Sequence, residues 1–170
     1  MSASDVPEAN AGRVVLGIGG LAVRHALAGT LVTHALGSCV GIVAHDPLHH
    51  VGGMLHAQLP LAQLSPERAK DSPTLFVDLG MQMLFTALFQ LGAKKGNLRI
   101  VVAGGANVTG GAANQFDIAN RNLTVMRKVF WQMGLLAAAE DTGGGLPRTM
   151  TLDLASGLVQ LESQGRRSNL

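Results

Sequence analysis

The chain has 170 residues, 47% hydrophobic and 14% charged, with a formal net charge of +2. That is enough length and apolar content for one globular core; a lone cysteine permits no internal disulfide, which excludes a disulfide-built secreted scaffold and fits a reducing cytosol. With no tyrosine, one tryptophan, and basic residues scattered apart from pairs such as Lys94–Lys95 and Arg166–Arg167, there is little material for a nucleic-acid surface, and no apolar run reaches the roughly 20 residues that cross a bilayer.

The opening MSASDVPEANAGR lacks the apolar core of a secretory leader, and residues 1–12 are expected to form a flexible tail. RVVLGIGG (Arg13–Gly20) is a short β-type run broken by glycines, and GTLVTHAL (Gly29–Leu36) is a second. CVGIVAHD (Cys39–Asp46) and GGMLHAQLP (Gly52–Pro60) are two more, joined across Asp46–Pro47. An Asp-Pro pair between apolar runs is a turn signal, because proline presets the turn dihedral and Asp bonds the backbone that follows. Ser65–Pro73 is polar and reads as a loop. Thr74–Gly92 has helical spacing, with Phe76, Leu79, Met83, Leu84, Ala87, Leu88 and Leu91 in phase and Gly92 at the stop. It is apolar nearly all round, so it is expected to be heavily buried. Leu98–Asn107 is a strand entering a glycine-rich loop. Phe116–Gly134 is a second helix, with an apolar face of Ile118, Met126, Val129, Phe130 and Met133. LLAAAED, RTMTLDLA and GLVQLE read as strands around the loop DTGGGLPR, and residues 163–170 as a flexible C-terminal tail. Short strands with two main helices predict an α/β (α+β) fold, a layered sandwich of mixed β-sheets.

The residues richest in chemistry lie between Leu36 and Pro60, which hold Cys39 and four of the six histidines. A free cysteine often does nothing but pack. Against that stands the hairpin. Cys39 and His56 are equidistant from the Pro47–Leu48 turn, so an antiparallel pairing predicts them face to face, with Cβ atoms about 4.5–5.5 Å apart. A one-residue slip would put them on opposite faces. Cysteine opposite histidine can form a thiolate–imidazolium pair, and the thiolate is the nucleophile. No Asp or Glu lies between Glu8 and Asp46 to oppose that ionisation. Gly37 and Ser38, just before the thiol, let backbone N–H groups approach a substrate oxyanion. On spacing alone, nucleophile and buried structural cysteine both remain open.

Other patterns are weaker. His45, His49, His50 and His56 cluster, but without Cys-x-x-Cys or His-Glu-x-x-His no metal site is expected. GIGGLA (Gly17–Ala22) matches Gly-x-Gly-x-x-Ala, yet no acidic residue follows at the spacing a dinucleotide site needs, so it reads as a turn. AGGANVTGGAANQ and DTGGGLPR lack Gly-Lys-Ser/Thr and read as close-packed turns near a site, with Asn107 and Asn114 available for hydrogen bonds.

The ordered string LGSCVGIVAHDP…VGGMLHAQLP resembles the signature of CheD, the chemoreceptor glutamine deamidase family of bacterial and archaeal chemotaxis. The resemblance runs from about Gly17 to Leu161 and takes in VVAGGAN, FDIANRN and DTGGGLPR. It implies one deamidase domain over residues 13–162, on an α/β sandwich related to deamidating toxins, in the cytoplasm and without a cofactor. It implies Cys39 as nucleophile, His56 as base and Thr33, six residues before the cysteine, as the group that orients the imidazole. The substrate implied is a glutamine of a methyl-accepting chemotaxis receptor, hydrolysed to glutamate with release of ammonia. The resemblance also implies an alternative, a non-catalytic adaptor for a CheC-type phosphatase of phosphorylated CheY. An amidohydrolase for some other protein is a third possibility that the sequence does not separate from receptor deamidation. Three positions depart from the family pattern: Ala103 where Phe is usual, Asn120 where Glu is usual, and Pro147 for the second glycine of the late loop. These are expected to bear on docking rather than chemistry.

Overall fold

The computed structural model describes residues 12–109 and 117–170. Among these residues, ten strands and three α-helices follow one another: β1 (Arg13–Leu16), β2 (Leu21–His25), β3 (Thr30–Leu36), β4 (Val40–Asp46), β5 (Val51–Ala57), α1 (Pro66–Asp71), α2 (Val77–Gln90), β6 (Arg99–Gly104), α3 (Ile118–Met133), β7 (Ala139–Thr142), β8 (Arg148–Asp153), β9 (Val159–Ser163) and β10 (Arg166–Asn169). The strands form two five-stranded mixed sheets, ordered β1-β3-β8-β9-β10 and β2-β5-β4-β6-β7. The architecture is therefore the layered α+β sandwich expected. Among the described residues, no helix is long and apolar enough to cross a membrane.

Two cores hold three layers together. Between the sheets, Leu31, Leu36, Met150 and Leu152 of the first pack on Val43, Met54 and Val101 of the second. On the outer face of the second sheet, Ile42, Ala44 and Leu55 meet Met81, Leu84 and Phe85 of α2 and Met126 and Phe130 of α3. Each fully buried side chain of this size contributes about 1.5–3 kcal/mol. Strands β4 and β5 lie in the middle layer, so all seven residues of each are buried. Buried on both faces, they read in sequence as continuous apolar runs without alternation.

The hairpin of β4 and β5 differs from expectation in register. Gly41, not Cys39, stands opposite His56, and the pairing centres between Leu48 and His49. The turn is longer because Asp46 organises it: Oδ1 accepts the N–H groups of Leu48 and His49, and Oδ2 accepts Nδ1–H of His49 and the Lys94 N–H. Burial opposes ionisation of Asp46, but these donors outweigh it and lower its pKa to about 2. The offset is two residues. Cys39 itself lies in the loop before β4, outside the ladder, and joins the buried core between the sheets, the space into which His56 also points.

Other segments differ as well. Leu21–His25, not singled out in the sequence, is an edge strand antiparallel to β5. The supposed loop Ser65–Pro73 contains α1, with proline in its first turn and a Lys70–Glu67 pair. Helix α2 buries Val77, Gly80, Met81, Leu84, Phe85 and Leu88, while Met83 and Leu91 are exposed. A helix apolar all round cannot choose its own buried face; the sheet chooses it. The expected C-terminal tail is corrected too. Arg166–Asn169 forms β10, antiparallel to β9, with Arg167 Nε on Glu162 Oε2 at 2.9 Å. All four residues of β10 are exposed, so the backbone ladder makes the strand and no apolar signal announces it. Most of the expected N-terminal tail, and Asn114, lie outside the described residues.

Candidate active site

Thr33, Cys39 and His56 come from three separate segments. Thr33 lies on β3, in register with Leu16 of β1 and Met150 of β8. His56 is near the end of β5, in the second sheet. Both point into the space between the sheets, and both are buried, Thr33 at 0% and His56 at 1% exposure. Cys39 precedes β4 in the loop that crosses from one sheet to the other, and joins the same inter-sheet core at 7% exposure.

One short chain of hydrogen bonds ties the threonine to the histidine. Thr33 Oγ1 lies 2.8 Å from the Leu16 carbonyl oxygen and 2.7 Å from His56 Nδ1. A hydroxyl has one proton and a carbonyl can only accept. The Thr33 proton is therefore committed to Leu16, and Nδ1 must be the donor to Oγ1. That fixes the neutral imidazole as the Nδ1–H tautomer and leaves its lone pair on Nε2. His56 Nε2 is buried with no hydrogen-bond partner among the described residues, so no bond joins it to Cys39 here. Gly41 takes the place opposite His56 that spacing assigned to Cys39, and the ladder ends at Val40 and Ala57, so the face-to-face pairing expected from spacing is not formed.

The titration state also departs from expectation. Burial pushes the Cys39 thiol above its ordinary value, with the smaller pull of its own backbone N–H in the other direction. Burial pushes His56 below its ordinary value. The resting pair is thus a neutral thiol and a neutral imidazole rather than an ion pair. Reading the anion-free sequence around Cys39 as favouring thiolate missed the desolvation that only tertiary packing imposes.

The loop carrying the thiol is shaped for close contacts. Cys39 O accepts the Gly105 N–H, while the Ser38 and Cys39 N–H groups bond no backbone carbonyl among the described residues. Gly104, at φ +104°, brings β6 so close that a Cβ there would collide with the Cys39 carbonyl oxygen. Gly41, opposite His56, leaves room that Leu36 and Met150 fill. A cleft of about 250 Å³ opens beside Gly37 and Ser38 and is walled by Ala106, Val108 and Ile118. A larger groove on the outside of α2, near Leu79 and Met83, shares no residue with this cluster.

The remaining sequence candidates fall elsewhere. His45 bonds the Leu154 carbonyl and His49 bonds Asp46, so both are engaged in structure. Among the described residues, no group of three or more His, Cys, Asp or Glu is placed to hold a metal ion. Gly17–Gly20 is a turn closed by Gly20 N–H to the Gly17 carbonyl, and its neighbour Gly19 N–H bonds the His56 carbonyl. Ala103 is fully buried opposite Gly41 and cannot touch a partner, contrary to the docking role expected for the departure there. Asn120 is exposed at the start of α3, bonding Asp117. Sequence reasoning passed over Asn122, which is fully buried beneath the Cys39 loop; a polar residue in an amphipathic helix gives no sign that it faces inward.

The family model described as CheD chemotactic sensory transduction matches residues 58–163. The chain belongs to the CheD family. A CheD protein of Anaeromyxobacter dehalogenans is 46% identical over 152 residues, covering 88% of this chain and 94% of its own. One from Syntrophus aciditrophicus is 39% identical over 154 residues, covering 91% and 96%. One from the archaeon Pyrococcus horikoshii is 38% identical over 149 residues, covering 87% and 90%. These CheD relatives are named probable chemoreceptor glutamine deamidases. Among solved structures, a Bacillus licheniformis protein, YfiH, is similar over 72% of this chain and 49% of its own, with a TM-score of 0.43 and 12% identity.

Proposed function

We propose that the protein is a cysteine-dependent glutamine deamidase of chemotaxis receptors, working in the cytoplasm with Cys39 as nucleophile, His56 as general base and acid, and Thr33 as the group that orients His56. The observation that carries this reading is the Leu16–Thr33–His56 chain, which leaves a bare Nε2 lone pair between the sheets, in the core that Cys39 also joins. The names of the CheD relatives support the substrate class.

The chemistry follows from the neutral resting pair. A glutamine side chain enters beside Gly37 and Ser38, and rotation of the Cys39 side chain brings Sγ to Nε2. His56 takes the thiol proton as sulfur attacks the carboxamide carbon, so the costly thiolate forms only during attack. The imidazolium keeps its Nδ1–H on Thr33, whose own proton points at the Leu16 carbonyl dipole. The N–H groups of Ser38 and Cys39 hold the oxyanion. His56 then gives its Nε2 proton to the leaving nitrogen, and ammonia departs. Water, deprotonated by the same Nε2, attacks the thioester; the C–S bond breaks, the thiol regains its proton, and glutamate is released.

Incubation with cytoplasmic fragments of chemotaxis receptors tests this. The expected result is a mass rise of about 1 Da per modified glutamine, with one ammonia per site. No mass change in any fragment, together with binding of a CheC-type phosphatase, overturns the enzyme reading in favour of the adaptor.

A further inference from the structure

Three features of Asn122 stand together. It is fully buried on α3, the outer helical layer. Its Nδ2 donates to the Ser38 carbonyl and to the Gln58 carbonyl, each at 2.9 Å. Its Oδ1 is buried with no partner among the described residues. Both neighbours of the amide are acceptors, so the orientation is chemically forced: only an NH₂ group can bridge two carbonyls.

The two carbonyls are not arbitrary. Ser38 immediately precedes Cys39, and Gln58 lies two residues beyond His56, where β5 has ended. Neither Ser38 nor Gln58 lies in a strand. The sheet ladder fixes Gly41 against His56 but stops at Val40 and Ala57, just short of the nucleophile. One side chain spans the gap that the ladder leaves open. A residue serving only to fill space there would not strand a buried acceptor, which is an unfavourable arrangement.

We infer that Asn122 is a positioning residue: it clamps the segment before Cys39 to the segment after His56 and so sets the distance between nucleophile and base. It touches neither reacting atom. The inference rests on the proposed deamidase reading for its catalytic consequence, but the clamp itself acts on Cys39 whether or not a receptor is present.

The test compares Asn122→Ala with Val129→Ala, a truncation two turns along the same helix in the core shared with the second sheet. Two quantities are read for each folded variant: steady-state deamidation of a receptor fragment, and the rate at which iodoacetamide alkylates Cys39 from pH 7 to 10. For Asn122→Ala, kcat is expected to fall about 100-fold with KM within about threefold, because misplacement by an ångström acts on the transition state and not on docking. Alkylation should rise, since the released loop exposes the thiol. Val129→Ala should change neither. If Asn122→Ala does not fold, Asn122→Ser, which retains one donor, takes its place with changes of the same sign and smaller size. Equal effects in the Asn122 and Val129 variants, or unchanged alkylation and kcat in the Asn122 variant, overturn the clamp. Failure of the wild type to deamidate any fragment overturns the deamidase reading alone, and the alkylation arm still decides the clamp.

Discussion

Replacing Thr33 by valine keeps the shape of a fully buried side chain and deletes one hydroxyl. Two groups lose their partner at once: the Leu16 carbonyl, at 2.8 Å, and His56 Nδ1–H, at 2.7 Å. A stranded buried polar group costs about 1–3 kcal/mol, so the variant, with two, should lose about 2–6 kcal/mol, within the stability of an ordinary domain. The catalytic loss is separate. The hydroxyl's hydrogen bond strengthens when His56 becomes charged, and a bond to a charged group is worth about 1.5–3 kcal/mol. At about 1.4 kcal/mol per tenfold, kcat for the proposed deamidation should fall about 10- to 100-fold. Thr33→Ser retains the hydroxyl and should retain most of the rate. Ammonia release and urea unfolding, measured side by side on wild type and both variants, check this. A folded Thr33→Val protein with wild-type kcat refutes the tautomer argument.

Cys39→Ser should lower deamidation by several orders of magnitude while changing unfolding free energy by no more than about 1 kcal/mol, since neither a cavity nor a charge is created. Alkylation of wild-type Cys39 should keep rising with pH past 9, because burial raises its pKa above the ordinary 9.0; a plateau already reached at pH 7 would restore the ion pair. Because burial holds the folded-state pKa of His56 below its ordinary 6.5, the unfolded chain binds the extra proton first. Its contribution to stability is therefore complete above that value and declines as pH falls below it, and the midpoint of the acid limb of kcat/KM should lie below pH 6.5. Gly104→Ala should both destabilise the fold and depress activity, since the added carbon meets the Cys39 carbonyl at a φ of +104°; thermal melting and ammonia release report the two effects. Asp46→Asn should be less stable than wild type at neutral pH, and the difference should shrink as pH falls below 3.8 and vanish through about 2, where the folded carboxylate protonates; pH-dependent urea titrations follow it.

What could be read without coordinates was local or carried by resemblance. The hairpin of Cys39–Asp46 and Gly52–Pro60 is close in sequence, so its turn signal and apolar runs were enough to expect Cys39 and His56 near one another. The register was misjudged by two residues and Cys39 falls outside the ladder; it reaches the core that His56 enters because the loop before β4 packs between the sheets. Thr33 entered through the family pattern; its spacing from His56 says nothing, since the two meet only when the first sheet stacks on the second. The same stacking supplies the Leu16 carbonyl that sets the tautomer, and a backbone atom leaves no trace in residue identity. The ionisation state was misjudged because nearby charges are visible in a sequence and desolvation is not. Strand β10 was missed because an exposed edge strand has no buried face to pattern. Asn122 was missed because helical periodicity marks apolar residues that face inward, and one asparagine among them has meaning only when the two carbonyls it bridges are brought beneath it.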